Sequence, residues 1–176
     1  DVFRKQIRVY TPRGESIDLG QGATPIDFAY AIHTGLGNQT HAAYVNDLFF
    51  PLNKSLRDGD QVRIVKKMKA QPQRAWLVED LGYMTTNYAR AHARRWFRRL
   101  PYHLALFEGK QLVQDELDIL GMPDFSHLEV AALFEFENVQ ELYHMVGRAE
   151  LLPTEVALMV LERVWGSGPG RNLDYL

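Results

Sequence analysis

An α+β chain, a small roll of strands around one helix followed by an all-helical unit, is predicted by three features of the 176 residues. Alternating apolar and polar runs recur before residue 67. A single helical pattern interrupts them near residue 25, and beyond the Pro-containing stretch at 70–75 the period changes to that of helices. At 46% hydrophobic residues there is enough apolar side chain for a core.

The runs QIRVYT (6–11) and ESIDL (15–19) alternate and are joined by Pro12-Arg13-Gly14, whose glycine suits a tight connection, so they predict a hairpin. A helix is expected over residues 24–33. Thr24 stands as its N-cap, Pro25 as a first residue that loses no needed donor, and Asp27 lies near the positive end. Ile26, Ala29, Tyr30 and His33 follow at helical spacing, and Gly35 and Gly37 are expected to stop it. HAAYVN (41–46) and LFF (48–50) read as short strands around Asn46-Asp47. PLNKSLRDGD is a polar turn, and QVRIVKK alternates once more. One helix covering one sheet face in this order is a roll of β-grasp type.

In the second half, residues 87–100 form the most legible helix. At 100° per residue, Ala89, Ala93, Trp96, Phe97 and Leu100 share one face, while Arg90, Arg94, Arg95, Arg98 and Arg99 spread over the opposite half. Further helices are expected at 102–120, with Leu106, Val113, Leu117 and Leu120 inward, and at 126–134, 139–146 and 154–165. The domain division is therefore 1–67, a linker at 68–75, a helical domain at 76–165 and a Gly-rich flexible tail at 166–176.

Several chemistries lack the residues they need. The absence of cysteine excludes disulfides, thiolate metal sites and a cysteine nucleophile, and fits a cytoplasmic location. Histidines are not spaced as zinc ligands, so no metal and no cofactor is assigned. Neither phosphate-loop pattern occurs, the few serines sit in turns or caps, and no apolar run is long enough for a membrane span. The net charge of −2 conceals a gradient: residues 1–70 hold ten Lys/Arg against seven Asp/Glu, and residues 111–176 hold three against twelve. A polyanion would meet the front and middle of such a chain.

The stretch VYTPRGESIDLGQGATPIDFAYAIHTGLGN, followed by VN and PLNKSLRDGDQVRIV, resembles the TGS domain, a ubiquitin-like β-grasp module of threonyl-tRNA synthetases, certain GTPases and RelA/SpoT enzymes. WLVEDLGYMTTNYARAHARRWFRR and LVQDELDILGMPD are similar to the segment on the C-terminal side of the TGS domain in the RelA/SpoT stringent-response proteins. The resemblance covers residues 1 to about 165. It implies a regulatory C-terminal piece of a (p)ppGpp synthetase/hydrolase homologue, without the hydrolase and pyrophosphokinase domains and hence without catalysis of its own.

By the same resemblance, the partners are the 3′ end of deacylated tRNA on the ribosome or, in some members, acyl carrier protein or the enzyme's own catalytic half. The family's contact histidine matches His33, and Thr34, Asn38 and Gln39 belong to the same tRNA-facing stretch. An imidazole beside glycines can hydrogen-bond a ribose hydroxyl or stack on a base; equally, it can cap a helix end. Gln39, Tyr44, Tyr88 and His92 stand where the family carries basic residues, which predicts weaker phosphate binding. The arginine face reads as an RNA-binding surface, as a docking face for the acidic last third of the chain, as a solvated face, or as a contact for another protein.

Overall fold

The computed structural model describes residues 5–166, and the expected flexible tail lies outside them but for Gly166. The chain forms two compact units that divide between Trp96 and Phe97.

The first unit opens with β1 (Gln6–Tyr10) and β2 (Ser16–Gly20), antiparallel in the register Ile7 to Leu19 and Val9 to Ile17. Gly14 lies at φ +88°, in the left-handed region that its lack of a Cβ permits. β3 (Thr40–Val45) is central to β4 (Leu48–Phe50) and β5 (Val62–Lys66), both antiparallel to it. Asn46 and Asp47 turn between β3 and β4 with φ of 53° and 66°, as a two-residue hairpin connection requires. A parallel bridge from Tyr10 to Gln61, with the Tyr10 amide donating to Asp60 O at 2.8 Å, joins β1 to β5 and closes the β-grasp roll. Val9, Leu19, Phe28, Val45 and Val62 fill its core.

The helix α1 (Pro25–Ile32) starts as its cap residues dictate. Asp27 N donates to Thr24 Oγ1, and Thr24 N donates back to Asp27 Oδ2 at 3.0 Å. It ends at His33, where the sequence places its end, but the glycines are not what stops it. His33 is extended, with φ −163°, and the glycines do not terminate the chain's helical course: they sit inside a second short helix, α2 (Thr34–Asn38). Gly37 is required there, because a Cβ would lie 2.2 Å from the Tyr30 ring.

The expected linker at 68–75 also differs. Two 3-10 turns, Arg74–Leu77 and Glu79–Leu81, lead into α3 (Asn87–Arg98), and Trp76, Leu77 and Met84 are buried. All of this up to Trp96 belongs to the first unit. The physical reason lies in α1, whose residues 25–30 are all buried: a helix buried all round needs a second covering layer, and the sheet supplies only one.

The second unit holds α4 (Tyr102–Ile119), α5 (His127–Leu133), α6 (Val139–Gly147) and α7 (Pro153–Trp165), close to the helices the sequence predicts. Ser126 and Asn138 cap α5 and α6 by accepting from Glu129 N and Glu141 N. Val113, Leu117, Val130, Leu142, Val146, Val156 and Val160 form the core. Leu106 and Leu120 are only half-buried; Ala105 and Gly109 take the closest approach to α6 instead. A Cβ at Gly109 would lie 1.8 Å from Tyr143 O, and one at Gly147 would lie 1.9 Å from Ala105 O. The two helices therefore run antiparallel at near backbone contact. Among the described residues no helix is long and apolar enough to cross a membrane.

Candidate nucleic-acid interface

His33 serves two helices at once. Its amide donates to Ala29 O at 3.1 Å to end α1, and its Nδ1 accepts from Gly35 N at 2.9 Å to begin α2. It caps an N-terminus rather than the carbonyl end considered from the sequence. Because Nδ1 is an acceptor, the neutral ring carries its proton on Nε2. The side chain is exposed, so this N–H is available to a ligand. Gly35 is fitted to the cap, since a Cβ there would come 3.0 Å from the ring.

The other predicted contact residues line up along α2. Thr34 Oγ1 lies 3.3 Å from His92 Nδ1, Asn38 Oδ1 accepts from Tyr30 OH at 2.8 Å, and Gln39 Nε2 donates to Met68 O at 3.2 Å. Burial pushes the Tyr30 phenol well above its ordinary range, so it remains a donor to Asn38. Asn38 and Gln39 share an open cavity of about 410 Å³ with Gly35, Lys69, Gln71 and Trp96. Thr34 and His33 lie outside its lining, on the neighbouring turn.

The residues read as lost charges fall in different places. Gln39 is in the cavity wall. Tyr44 is on the outer face of the sheet beneath the Arg63 guanidinium, whose Cζ is 4.4 Å from the ring centre. His92 stacks with Tyr30 at 6.4 Å and meets Tyr88 at 4.3 Å.

The five arginines differ in what they engage. Arg90 turns back along α3 and donates to Met84 O at 2.9 Å and Asn87 Oδ1 at 2.6 Å. Arg94 and Arg95 are exposed within the first unit. Arg98 and Arg99 belong to the second unit, where Arg98 Nε pairs with Glu150 Oε1 at 2.9 Å and Arg99 is exposed.

Sequence reading missed the role of Asp27, which is only 1% exposed. Besides closing the box with Thr24, its carboxylate accepts from the amides and hydroxyls of both Thr85 and Thr86 at 2.8–3.2 Å. Thr24 Oγ1 donates in turn to Tyr83 O at 2.6 Å. Thr86 Oγ1 accepts from Ala89 N and caps α3. Nothing local in TPID marks a partner fifty-eight residues away. The i, i+4 spacing of Tyr88 and His92 is a signal from which those two rings could have been paired.

Residues 7–66 match the TGS domain family. Over 151 residues, 85% of this chain and 20% of the relative, the sequence is 33% identical to a GTP pyrophosphokinase of Escherichia coli K12. It is 32% identical over 160 residues to a protein of Synechocystis named probable guanosine-3′,5′-bis(diphosphate) 3′-pyrophosphohydrolase, covering 89% of this chain and 20% of that protein. It is 30% identical over 174 residues to a GTP pyrophosphokinase of Streptomyces coelicolor, covering 94% of this chain and 20% of that protein. The chain spans about a fifth of the length of each of these relatives.

Proposed function

We propose that this chain, which carries a TGS domain and is homologous to the RelA/SpoT stringent-response enzymes, is a regulatory module that senses the unpaired 3′ end of deacylated tRNA on the ribosome. The observation that carries the reading is the His33 cap. Its Nδ1 is spent on Gly35 N, which leaves an exposed Nε2–H beside a helix whose far end opens into the cavity of Asn38 and Gln39. A donor of fixed tautomer next to amide side chains suits ribose hydroxyls and base edges, which a single-stranded end presents and a duplex hides. An aminoacyl group on the terminal ribose would add bulk where the hydroxyl meets the imidazole, so the uncharged end is preferred.

The signal passes to catalytic domains outside this chain, and the chain itself turns over no nucleotide. Titration with deacylated and aminoacylated tRNA tests the reading. Preferred binding of the deacylated form supports it, and equal or absent binding refutes it. A second reading, docking on acyl carrier protein or on the enzyme's own catalytic half, is favoured by one observation: Leu48 and Phe49 at the β3–β4 hairpin are 72% and 70% exposed.

A further inference from the structure

The face of α3 beside α2 carries aromatic rings one turn apart. Tyr88, His92 and Trp96 occur at i, i+4 and i+8 and therefore lie in a row. His92 meets Thr34 through Nδ1 and stacks with Tyr30, and Trp96 lines the cavity with Gly35, Asn38 and Gln39. The row thus runs beside the turn that bears His33. Its first ring is the most open: Tyr88 is 55% exposed, although it rests against His92 with ring centres 4.3 Å apart. A tyrosine held at one edge by a second ring, yet open to solvent, loses little side-chain freedom when another flat group settles on it.

The charge around the row selects the flat group. Neither α2 nor α3 carries a carboxylate, Arg94 and Arg95 are exposed on α3, and Lys69 lines the cavity. Stacking rings on a helix that carries exposed cations and no carboxylate match a single-stranded polynucleotide, whose bases offer π faces and whose phosphates need neutralising. A duplex end offers no such free faces along a groove.

We infer that Tyr88, braced by His92, is a base-stacking platform for an unpaired nucleotide at an RNA 3′ end whose terminal ribose is held at His33. The inference rests on the proposed reading of the His33 turn and adds the contact that binds a base rather than a sugar. Stacking tolerates any base, so Tyr88 contributes affinity for an unpaired end and His33 contributes the choice of end.

The test uses the 176-residue chain and a hairpin RNA with a four-nucleotide unpaired 3′ end, carrying 2-aminopurine at each unpaired position in turn. Binding is expected to quench the fluorophore at one position. Tyr88→Ala and Tyr88→Lys should abolish that quench and weaken binding roughly tenfold to a hundredfold, the scale of one lost base stack. Tyr88→Phe should keep both, and a blunt hairpin should bind wild type and Tyr88→Ala alike. If His33→Ala weakens binding while both ring-less variants at Tyr88 bind and quench like wild type, the platform is wrong and the His33 site stands. If the wild-type chain binds the blunt hairpin as tightly as the overhanging one, the site and the platform both fall.

Discussion

Asp27 and Thr85 are bound to each other three times, with the Thr85 amide reaching both carboxylate oxygens at 3.0 and 3.1 Å and its hydroxyl reaching Oδ2 at 2.8 Å. With Thr24 and Thr86 making up the rest of the shell, a carboxylate almost wholly removed from water is surrounded by donors alone. Such a group is tolerable inside a protein only because its lone pairs are occupied. It also joins the start of α1 to the start of α3, so the helix that leads to His33 and the helix that bears Tyr88 are held by one anion.

Asp27→Asn should therefore lower the stability of the first unit by about 3 kcal/mol. The amide group turns one acceptor into a donor that faces Thr85 or Thr86, and buried donors left unpaired cost about 1–3 kcal/mol each. Urea denaturation gives the size, and hydrogen exchange gives the place, with the Thr85 and Thr86 amides losing protection first. An unchanged urea midpoint would show that the carboxylate is not needed.

The crossing of α4 and α6 supplies a second stability test. Gly109→Ala places a methyl group where Tyr143 O now lies, and Gly147→Ala does the same at Ala105 O, so the helices must separate. The loss should be roughly 2 kcal/mol, an overpacking cost of about 1–3 kcal/mol reduced by alanine's better helix propensity. Ala at exposed Gln111 of the same helix serves as the comparison and should leave the melting temperature within a degree or so.

Local signals carried far in this chain where the cause was local. Thr24 and Pro25 mark a helix start by side-chain chemistry within three residues, and the structure has a helix there. Two readings went astray because the deciding contact was tertiary rather than local to the pattern. Gly35 and Gly37 look like a helix stop, but Gly37 is small because the Tyr30 ring fills the space of its side chain. The segment after Pro72 has helical period, yet period does not say which unit a helix serves; burial of Trp76 and the bonds to Asp27 assign it to the first. At the candidate site, the family motif singles out His33, Thr34, Asn38 and Gln39, whereas Tyr88, inferred above to be a stacking ring, reads in the sequence only as a lost charge, because an exposed tyrosine acquires meaning only from the groups beside it.

Acid should weaken the second unit through His127. Its Nδ1 lies 2.6 Å from Tyr143 OH and its Nε2 lies 2.8 Å from Gln114 Oε1. Gln114 Nε2 donates to Asp118 and Pro123 O, so its oxygen is the acceptor and the histidine proton is on Nε2. Burial first, and the Lys110 charge second, pull the His127 pKa below its ordinary 6.5. The unfolded chain then binds the proton more readily than the folded one. Stability is fully present above pH 6.5 and falls as the pH drops from there towards the lowered folded value. Between about pH 7.5 and about pH 5 the wild-type urea midpoint should decline more steeply than that of His127→Gln. Parallel slopes would remove His127 as the cause.

The arginines and His33 should separate in a salt titration with deacylated tRNA. Arg94 and Arg95 are exposed, and on the proposed reading they meet phosphates as charges, so replacing both with alanine should flatten the slope of log affinity against log salt by roughly 0.7 per lost contact. The loss should be the same for RNAs of any sequence or end. Arg98 is engaged by Glu150, with 51% of its own side chain exposed, so Arg98→Ala should leave the slope almost unchanged and cost at most about 1 kcal/mol of stability. His33→Ala removes a hydrogen-bonding ring. It should weaken binding by about 1–3 kcal/mol at every salt concentration, and the effect should vanish when the terminal adenosine is removed from the tRNA. A His33 effect that persists on the shortened tRNA would place the imidazole on the duplex or the backbone. Absence of any salt-dependent tRNA binding by the wild-type chain would transfer the module to the protein-docking reading, with Leu48 and Phe49 as the first residues to substitute.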